Sequence, residues 1–444
     1  MAHKNTIRVA EFEKLYYDDE KLFQKKHWEA LCRYLEQENK NEKVRKEYYR
    51  ILNKGIQFTN YVGVIQAGNL TIEILPKTDR NRTTAANISI DELDSENGKR
   101  LKNWHTVLLQ MLKECKLLKV HNVDYANLNL KSNSILEIYI QIFLTEAEVL
   151  LHEGLVKKYR KTEANKFALK GRLLFSKNIA QNIVHQERFY VVDTEYNRNN
   201  IFNQILYKTL CLIPSIGNTP RLVDKANNLL LNFPELPDCN IKESDFDRLV
   251  FDRKTERYKD ALLISKMLLL NFRPDISGGR ENVVAILFDM NKLWEEFVYG
   301  RLLKSADVNT VISRQGRADF WWNSTANKYK IIKPDIVITK NGQTTIIDTK
   351  WKIVDNNNPG DDDLKQMFVY NLFWDAHKSI LLYPGKFEAC EGSYKHFNLS
   401  SHLKEDGDNG FYNHCSLAFL DVLDKDNRLI SCERFKFFLD KALG

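Results

Sequence analysis

The sequence predicts an α/β protein, α+β overall, in which a small β-rich unit and a helical region precede a C-terminal domain of alternating helices and strands. Three observations predict this fold class. Apolar residues recur at helical spacing through much of the chain up to Phe272, some short stretches alternate apolar and polar residues around turn signals, and proline and glycine interrupt the chain near residue 277. The expected units are 1–90, 91–276 and 277–444.

The composition is that of a folded protein. Of the 444 residues, 43% are hydrophobic and 11% aromatic, enough for two or three domains with their own cores. The 66 basic and 59 acidic side chains give a net charge of +7, which would suit contact with a phosphate backbone without requiring it. Because the N-terminus is charged and no window of about 18 apolar residues occurs, we expect a cytoplasmic protein.

Two classes of site are not expected from the motifs. The seven cysteines and ten histidines are scattered, with no CxxC pair and no HExxH, which argues against a zinc hydrolase. No GxxxxGK[ST] occurs, and the nearest fragment, residues 97–100, lacks the first glycine and the hydroxyl residue. We therefore expect no nucleotide to be bound by this chain itself.

The chain up to Phe272 shows helical patterns around one hairpin signal. Apolar residues of 22–35 fall near one stripe, which predicts a helix, and FTNYVGVIQAGNLTIEILPK alternates around Ala67-Gly68-Asn69, which predicts a β-hairpin. Residues 83–98 are polar and form a candidate linker, after which helical patterns dominate. One long helical stretch, SILEIYIQIFLTEAEVLLHEGLVKKYR, ends in a basic cluster of Lys157, Lys158, Arg160 and Lys161. This cluster is either a solvated helix end or a contact for DNA or a partner.

Residues 277–444 are expected to contain, in order, a helix over about 281–304, several strands, a helix over about 361–376 and the strand-like SILLYP. Within this unit, KIIKPDIVITKNGQTTIIDTKWK has two β-branched runs joined by Asn341-Gly342, the strongest short hairpin signal in a sequence. The two runs are therefore predicted to be paired strands.

The register of this hairpin brings three ionisable residues together. Counting back along both strands from the turn sets Asp335 opposite Asp348, and Lys350 shares a face with Asp348 because strand residues two apart do so. Opposed carboxylates repel, and a divalent cation such as Mg²⁺ would offset that repulsion. Such a site would hydrolyse phosphodiesters, with Lys350 orienting the nucleophile or stabilising developing charge. The alternative is an ordinary surface hairpin with exposed charges.

The two helices that flank the hairpin offer further candidates. On the first helix, Glu295 lies at the edge of the buried stripe while Glu296 points away, so Glu295 is the better third carboxylate. On the second helix, Gln366 and Tyr370 are one turn apart and could reach the metal site or DNA. For Tyr370, core packing is an equal alternative.

The ordered blocks LWEEFV, KPDIVIT, IIDTKWK and QMFVY resemble the PD-(D/E)xK nucleases, and their form is similar to that of the McrC family, the nuclease subunits of McrBC modified-cytosine restriction systems. Upstream, YVGVIQAGNLTIEILPK, HEGLVKKYR, LKGRLLFSKNIAQN and EYNRNNIFNQIL resemble the same family in the same order. The resemblance covers roughly residues 57–385, and the stretches 1–50 and 386–444 match nothing we can place. It implies a restriction-endonuclease-like C-terminal domain with a central mixed sheet flanked by helices.

The resemblance assigns roles to the site residues. Asp335, Asp348 and Lys350 fall on the nuclease motif, Glu295 on the glutamate of the first helix block and Gln366 on the glutamine of the last block. Asp335, Asp348 and Glu295 are then the metal ligands, with Mg²⁺ as the cofactor. The sequence departs from the family pattern at position 294, where tryptophan stands in place of the more usual phenylalanine.

The resemblance also implies a partner, a McrB-like AAA+ GTPase hexamer that recognises methylated DNA, while this chain cleaves double-stranded DNA and stimulates the GTPase. Nuclease domains of two complexes could pair. The region 1–276 would dock into the motor, with Arg172 and Arg198 as candidate contacts, although structural ion pairs are at least as plausible for both. The rival is a non-catalytic adaptor that keeps a nuclease fold to activate the GTPase ring. The complete Asp, Asp, Lys set argues against it.

Overall fold

The structure is a computed structural model, and its helices and strands are given for the part of the chain that it describes. The described residues are 5–41, 47–76, 88–89, 96–117, 134–273, 282–325, 327–352, 354, 357–376, 378–386, 388–394, 414–424 and 429–443. The linker expected at 83–98 lies largely outside them.

The strands of the described residues lie in five sheets. In chain order they are β1 (Thr6–Ala10), β2 (Lys14–Tyr16), β3 (Tyr49–Leu52), β4 (Gly55–Phe58), β5 (Tyr61–Ala67), β6 (Leu70–Leu75), β7 (Ile88–Ser89), β8 (Lys158–Lys166), β9 (Arg172–Leu173), β10 (Phe189–Asn197), β11 (Phe272–Arg273), β12 (Val283–Asp289), β13 (Thr310–Arg314), β14 (Ala318–Asn323), β15 (Lys328–Ile332), β16 (Ile336–Lys340), β17 (Gln343–Thr349), β18 (Lys378–Pro384), β19 (Glu388–Cys390) and β20 (His414–Leu420).

The helices pack on these sheets. They are α1 (Lys25–Asn41), α2 (Glu96–Glu114), α3 (Ile135–His152), α4 (Phe175–Asn182), α5 (Ile201–Ile216), α6 (Pro220–Asn232), α7 (Glu243–Asp247), α8 (Lys259–Leu270), α9 (Met290–Ser305), α10 (Asp361–Phe373) and α11 (Cys432–Leu443). Among the described residues, none of these helices has the length and apolar content needed to cross a membrane.

The N-terminal part contains a six-stranded sheet of order β11-β12-β5-β6-β1-β7 and a three-stranded sheet of order β2-β4-β3. The hairpin expected around Ala67-Gly68-Asn69 is confirmed, because Ala67 pairs with Leu70 and Gly68 has the positive φ of 58° that such a tight turn requires. The helix expected over 22–35 is confirmed as α1. It shares a buried cluster with both sheets.

The helix expected from residue 281 begins nine residues later, at Met290. The stretch Val283–Asp289 is instead strand β12, antiparallel to β5. The physical reason is that a short, continuous apolar run such as VVAILF suits a buried strand as well as a buried helix, and only its distant partner decides. Although β12 follows the expected boundary at 277, it belongs to the N-terminal sheet. The division into 1–90, 91–276 and 277–444 stays a prediction.

The middle of the chain is helical, but it also contains a sheet that the sequence did not indicate. Helix α3 begins at a capping box, in which Ser134 and Glu137 bond reciprocally, and it ends at His152. Gly154, with a φ of 91°, follows, and the predicted helical stretch continues as β8 in a sheet of order β8-β10-β9. The basic cluster therefore lies at and just before a strand and not at a helix end.

The C-terminal sheet has the order β13-β16-β17-β18-β20-β19. It is mixed, since β17, β18 and β20 run parallel while β13, β16 and β19 are antiparallel to their neighbours. Helices cover both faces. Ile346 and Leu381 share a core with Met367 of α10, whereas Ile347 shares one with Trp294 of α9. The expected helix over 361–376 and the SILLYP strand are confirmed as α10 and β18.

Candidate active site

The hairpin β16–β17 has the register that the sequence predicts. Its ladder runs from Ile336 paired with Ile347 to Lys340 paired with Gln343. Asn341 and Gly342 close it with φ values of 52° and 81°, the two positive values that a type I′ turn needs. Asp335 directly precedes β16 and Asp348 lies in β17, so the two aspartates stand at the same end of the hairpin.

Asp348 and Lys350 form the buried centre of the site. Asp348 is only 2% exposed, and the Lys350 Nζ lies 2.7 Å from its Oδ2. Burial and the charge of Asp335 raise the pKa of Asp348 to about 7, against the opposing effect of Lys350. One lysine therefore does not compensate this buried carboxylate fully, and the site would favour additional positive charge.

Asp335 is held in place by Thr349. The Oδ2 of Asp335 accepts hydrogen bonds from the backbone N–H and the hydroxyl of Thr349, both at 2.8 Å. Thr349 was not among the predicted site residues, although its position between Asp348 and Lys350 was a signal that could have marked it.

Glu295 and Glu296 have different surroundings, as the helical wheel predicts. The Oε1 of Glu295 accepts a hydrogen bond from the Nε2 of Gln315 at 3.0 Å. Burial raises the pKa of Glu295, the bond from Gln315 opposes that rise, and the charge of Asp335 adds to it. Glu296 is instead paired with Arg314 at 2.6 Å. Glu295 is thus the glutamate of α9 whose ionisation responds to Asp335. Gln315 had no recognisable sequence signal.

Gln366 and Tyr370 connect Lys350 to the backbone. The Lys350 Nζ donates to the Oε1 of Gln366 at 3.3 Å, and the Nε2 of Gln366 donates to the Tyr370 hydroxyl at 2.6 Å. That hydroxyl donates to the carbonyl of Lys333 at 2.9 Å. Asp363, which was not among the predicted site residues, lies 3.9 Å from the Lys350 Nζ. The structure thus brings all five predicted site residues into one region.

The donor set fits a hard divalent cation bound in an open site. Asp335, Asp348 and Glu295 offer carboxylate oxygens, and burial, with the charge of Asp335 adding to it, raises the pKa of Asp348 and of Glu295. Within the described residues, no three His, Cys, Asp or Glu side chains are arranged to hold a metal ion on their own. Mg²⁺ does not need such a cage, because it is typically held by one or two carboxylates together with water and substrate phosphate oxygens.

The side chains of the two arginines proposed for partner contact take part in none of the contacts described for the carboxylate site. Arg172 is exposed in β9, and Arg198 lines a cavity of about 880 Å³ together with Arg221 and Lys225. In the part of the chain that the structure describes, neither Arg172 nor Arg198 has a carboxylate partner in an ion pair. Their roles stay predictions.

Comparison with known families gives a match over the part of the chain that contains the sequence blocks. A family model for the McrBC 5-methylcytosine restriction system component matches residues 56–384. No curated protein matches the sequence.

Two solved structures from Thermococcus gammatolerans are similar to the chain. The first is a refined half-complex from a tetradecameric assembly of McrB AAA+ hexamers with bound McrC; it is 19% identical, with 98% of this chain and 100% of that chain covered and a TM-score of 0.67. The second is a cryo-EM structure of the McrBC complex, 21% identical, with 68% and 89% covered and a TM-score of 0.48. The first likeness shows a shared fold along nearly the whole chain.

Proposed function

The chain belongs to the McrBC 5-methylcytosine restriction system component family, and from this membership we propose that it is the DNA-cleaving subunit of a GTP-dependent, modification-dependent restriction complex. The reaction is hydrolysis of phosphodiester bonds in double-stranded DNA. The C-terminal sheet with helices on both faces is then a PD-(D/E)xK restriction-endonuclease-like domain.

One observation carries this proposal: Asp335, Asp348 and Lys350 meet at the end of one hairpin, with Glu295 beside them. A purely structural hairpin has no need to hold Asp348 beside Asp335, where burial and the charge of Asp335 raise the pKa of Asp348 to about 7. A nuclease does need these carboxylates together, because their oxygens bind the cation that phosphodiester hydrolysis requires.

The residues have distinct roles in this proposal. Asp335 and Asp348, with Glu295 close by, would hold Mg²⁺, which when bound stabilises charge on phosphate oxygens and lowers the pKa of a coordinated water. Lys350, positioned between Asp348 and Gln366, presents its ammonium group to the phosphate or the attacking water. Thr349 keeps Asp335 oriented, and Tyr370 keeps Gln366 oriented.

The proposed partner is a McrB-like AAA+ GTPase hexamer, which would hydrolyse GTP and recognise the DNA modification. The chain itself lacks a GxxxxGK[ST] motif. An exposed apolar surface on and after α4 supports a docking role for the region before residue 277, since large exposed apolar groups mark interaction sites. Its members are Phe175, Ile179, Ile183 and Val184.

The test uses the full chain with the AAA+ GTPase of the same system, GTP and Mg²⁺ on methylated and unmethylated plasmid. Asp348→Asn should abolish cleavage, whereas Asp362→Asn should cut like wild type, because Asp362 is fully exposed on α10. Glu295→Gln should slow cleavage at least tenfold and Glu296→Gln should not. GTP turnover should be stimulated equally by all four variants.

Two outcomes would contradict the proposal. Cleavage by Asp348→Asn at the wild-type rate would show that the site is assigned wrongly. No cleavage by the wild-type complex, with GTP turnover still stimulated, would establish the non-catalytic adaptor instead.

A further inference from the structure

A ribbon of two antiparallel strands, β14 and β15, lies outside the six-stranded C-terminal sheet. It carries four large aromatic side chains that are about half exposed: Phe320 at 49%, Trp321 and Trp322 at 53% and Tyr329 at 55%. A two-stranded ribbon is marginally stable by itself, and the halves of the aromatic side chains that are left in water add nothing to its stability. Four of them on one small element indicate a surface that is covered when the protein works.

The aromatic groups occupy both faces of the ribbon. Trp322 pairs in register with Tyr329, and their rings stack at 6.0 Å, while Trp321 pairs with Lys330. Phe320, the extra residue at a bulge, packs on Phe373 at the end of α10 with ring centroids 5.8 Å apart. The bulge thus attaches the base of the ribbon to α10, and the two tryptophans and the tyrosine lie further out.

The charge of the ribbon points to a polyanion. Between residues 317 and 333 there are four basic side chains and one acidic one, Asp319, a net charge of +3. The basic side chains are Arg317, Lys328, Lys330 and Lys333. Of the described residues, none supplies these four with a carboxylate in an ion pair. Two copies of the ribbon would repel each other, which disfavours self-association, whereas a phosphate backbone would attract it.

Both ends of the ribbon are attached to the carboxylate site. Before β14, the backbone N–H of Gln315 donates to the carbonyl of Asp335 at 3.1 Å, and its side chain donates to Glu295. After β15, the carbonyl of Lys333 accepts from the Tyr370 hydroxyl. The ribbon therefore begins and ends at residues of the site, so a substrate bound there lies against it.

The dimensions match a DNA groove. Strands of six and five residues extend about 16–20 Å. The major groove of B-DNA, about 12 Å wide, admits a two-stranded ribbon, and apolar side chains can contact thymine methyl groups there. Resting on the proposed nuclease function, we propose that this ribbon binds the major groove of the duplex beside the scissile phosphate, with its lysines on phosphates and its tryptophans in the groove.

The experiment measures cleavage of methylated plasmid by the complete complex with GTP and Mg²⁺. The double variant Trp321→Ala/Trp322→Ala should cut at least tenfold more slowly, and Lys328→Ala/Lys330→Ala should also show a shallower dependence of cleavage on salt, because two phosphate contacts are lost. The matched controls lie on α11: Phe437→Ala, whose side chain is 53% exposed, and Lys436→Ala/Lys441→Ala. GTP turnover and melting temperature should stay at wild-type values throughout.

The outcomes separate the two proposals. Ribbon variants that cut as fast as their α11 controls, in a complex whose wild type cuts, would overturn the ribbon proposal and leave the nuclease function standing. A wild-type complex that cuts no DNA would overturn both. If the tryptophan variants changed the oligomeric state of the chain in solution and left cleavage unchanged, the ribbon would be a self-association surface instead.

Discussion

Two buried carboxylates in this chain, Glu73 and Asp348, have opposite pKa shifts because their partners differ. Burial opposes ionisation of Glu73, yet His105 and Arg8 together lower its pKa to about 2. The Arg8 Nε lies 2.8 Å from one carboxylate oxygen, and the N–H of Ile135, at the start of α3, donates to the other at 3.1 Å. For Asp348, burial and the charge of Asp335 raise the pKa, and Lys350 lowers it by a smaller amount. The charge of Glu73 is therefore compensated by groups of the fold itself, and the charge of Asp348 is not.

Glu73 allows a prediction of pH dependence with a definite sign. Its folded pKa of about 2 lies below the value of about 4.3 expected in the unfolded chain, so its contribution is fully present above about pH 4.3 and is lost as the pH falls towards 2. Glu73→Gln should therefore lower the free energy of unfolding at pH 7 by about 3 kcal/mol. Denaturant unfolding at several pH values measures this.

The control for Glu73 is Glu243→Gln, whose carboxylate is mostly exposed. It should match wild type at every pH. The difference between wild type and Glu73→Gln should shrink below pH 4. A difference that stays constant down to pH 2 would show that the carboxylate charge of Glu73 is not what stabilises the fold.

The close approach of β5 and β12 depends on one glycine. Gly63 has a φ of 137°, and a Cβ added there would lie 2.1 Å from the carbonyl oxygen of Ile286. Because this oxygen belongs to the backbone of β12, it cannot move away without opening the sheet. The strand that follows the expected domain boundary is thus joined to the N-terminal sheet at a position that only glycine permits.

We expect Gly63→Ala to destabilise the chain by about 2 kcal/mol or more. Gly300→Ala is the matched control, because it lies in α9 with no atom within 4 Å of the added Cβ, and alanine favours a helix by about 1 kcal/mol. The melting temperature should therefore fall for Gly63→Ala and rise for Gly300→Ala, relative to wild type. Equal shifts would mean that the β5–β12 contact tolerates a side chain.

The parts of this fold that the sequence predicted are those set by local chemistry. Asn341-Gly342 specifies the hairpin turn without help from distant residues. The turn fixes the register of the two strands, and the register gives the positions of Asp335, Asp348 and Lys350. Strand β12 was missed because its partner β5 lies far earlier in the chain, and β8 was missed because its composition resembles a helix end. Gln315 was missed since its contact with Glu295 depends on how β13 meets α9, which no short pattern records.

At the scale of the whole molecule, the C-terminal sheet and the N-terminal sheet are connected by shared structural elements and by hydrogen bonds. Strand β12 runs directly into α9, the helix that carries Glu295, and Asn60 donates to Asp289 at the start of that helix at 2.8 Å. Trp351, next to Lys350, donates from its indole Nε1 to the buried Glu11 at 2.7 Å. The candidate site is therefore supported from both sides of the boundary expected at residue 277.

This shared structure predicts that residues 277–444 do not fold alone. Without β5, strand β12 would expose Val283, Val284 and Ile286, and losing the burial of three aliphatic side chains costs on the order of 5 kcal/mol, comparable with the whole stability of a domain. The fragment should show no cooperative melting by circular dichroism, whereas coexpression with 1–276 should restore a cooperative transition and copurification. If the fragment alone melted cooperatively at the temperature of the full chain, it would be an independent domain, and the contacts of β12 and Trp351 would be dispensable for its fold.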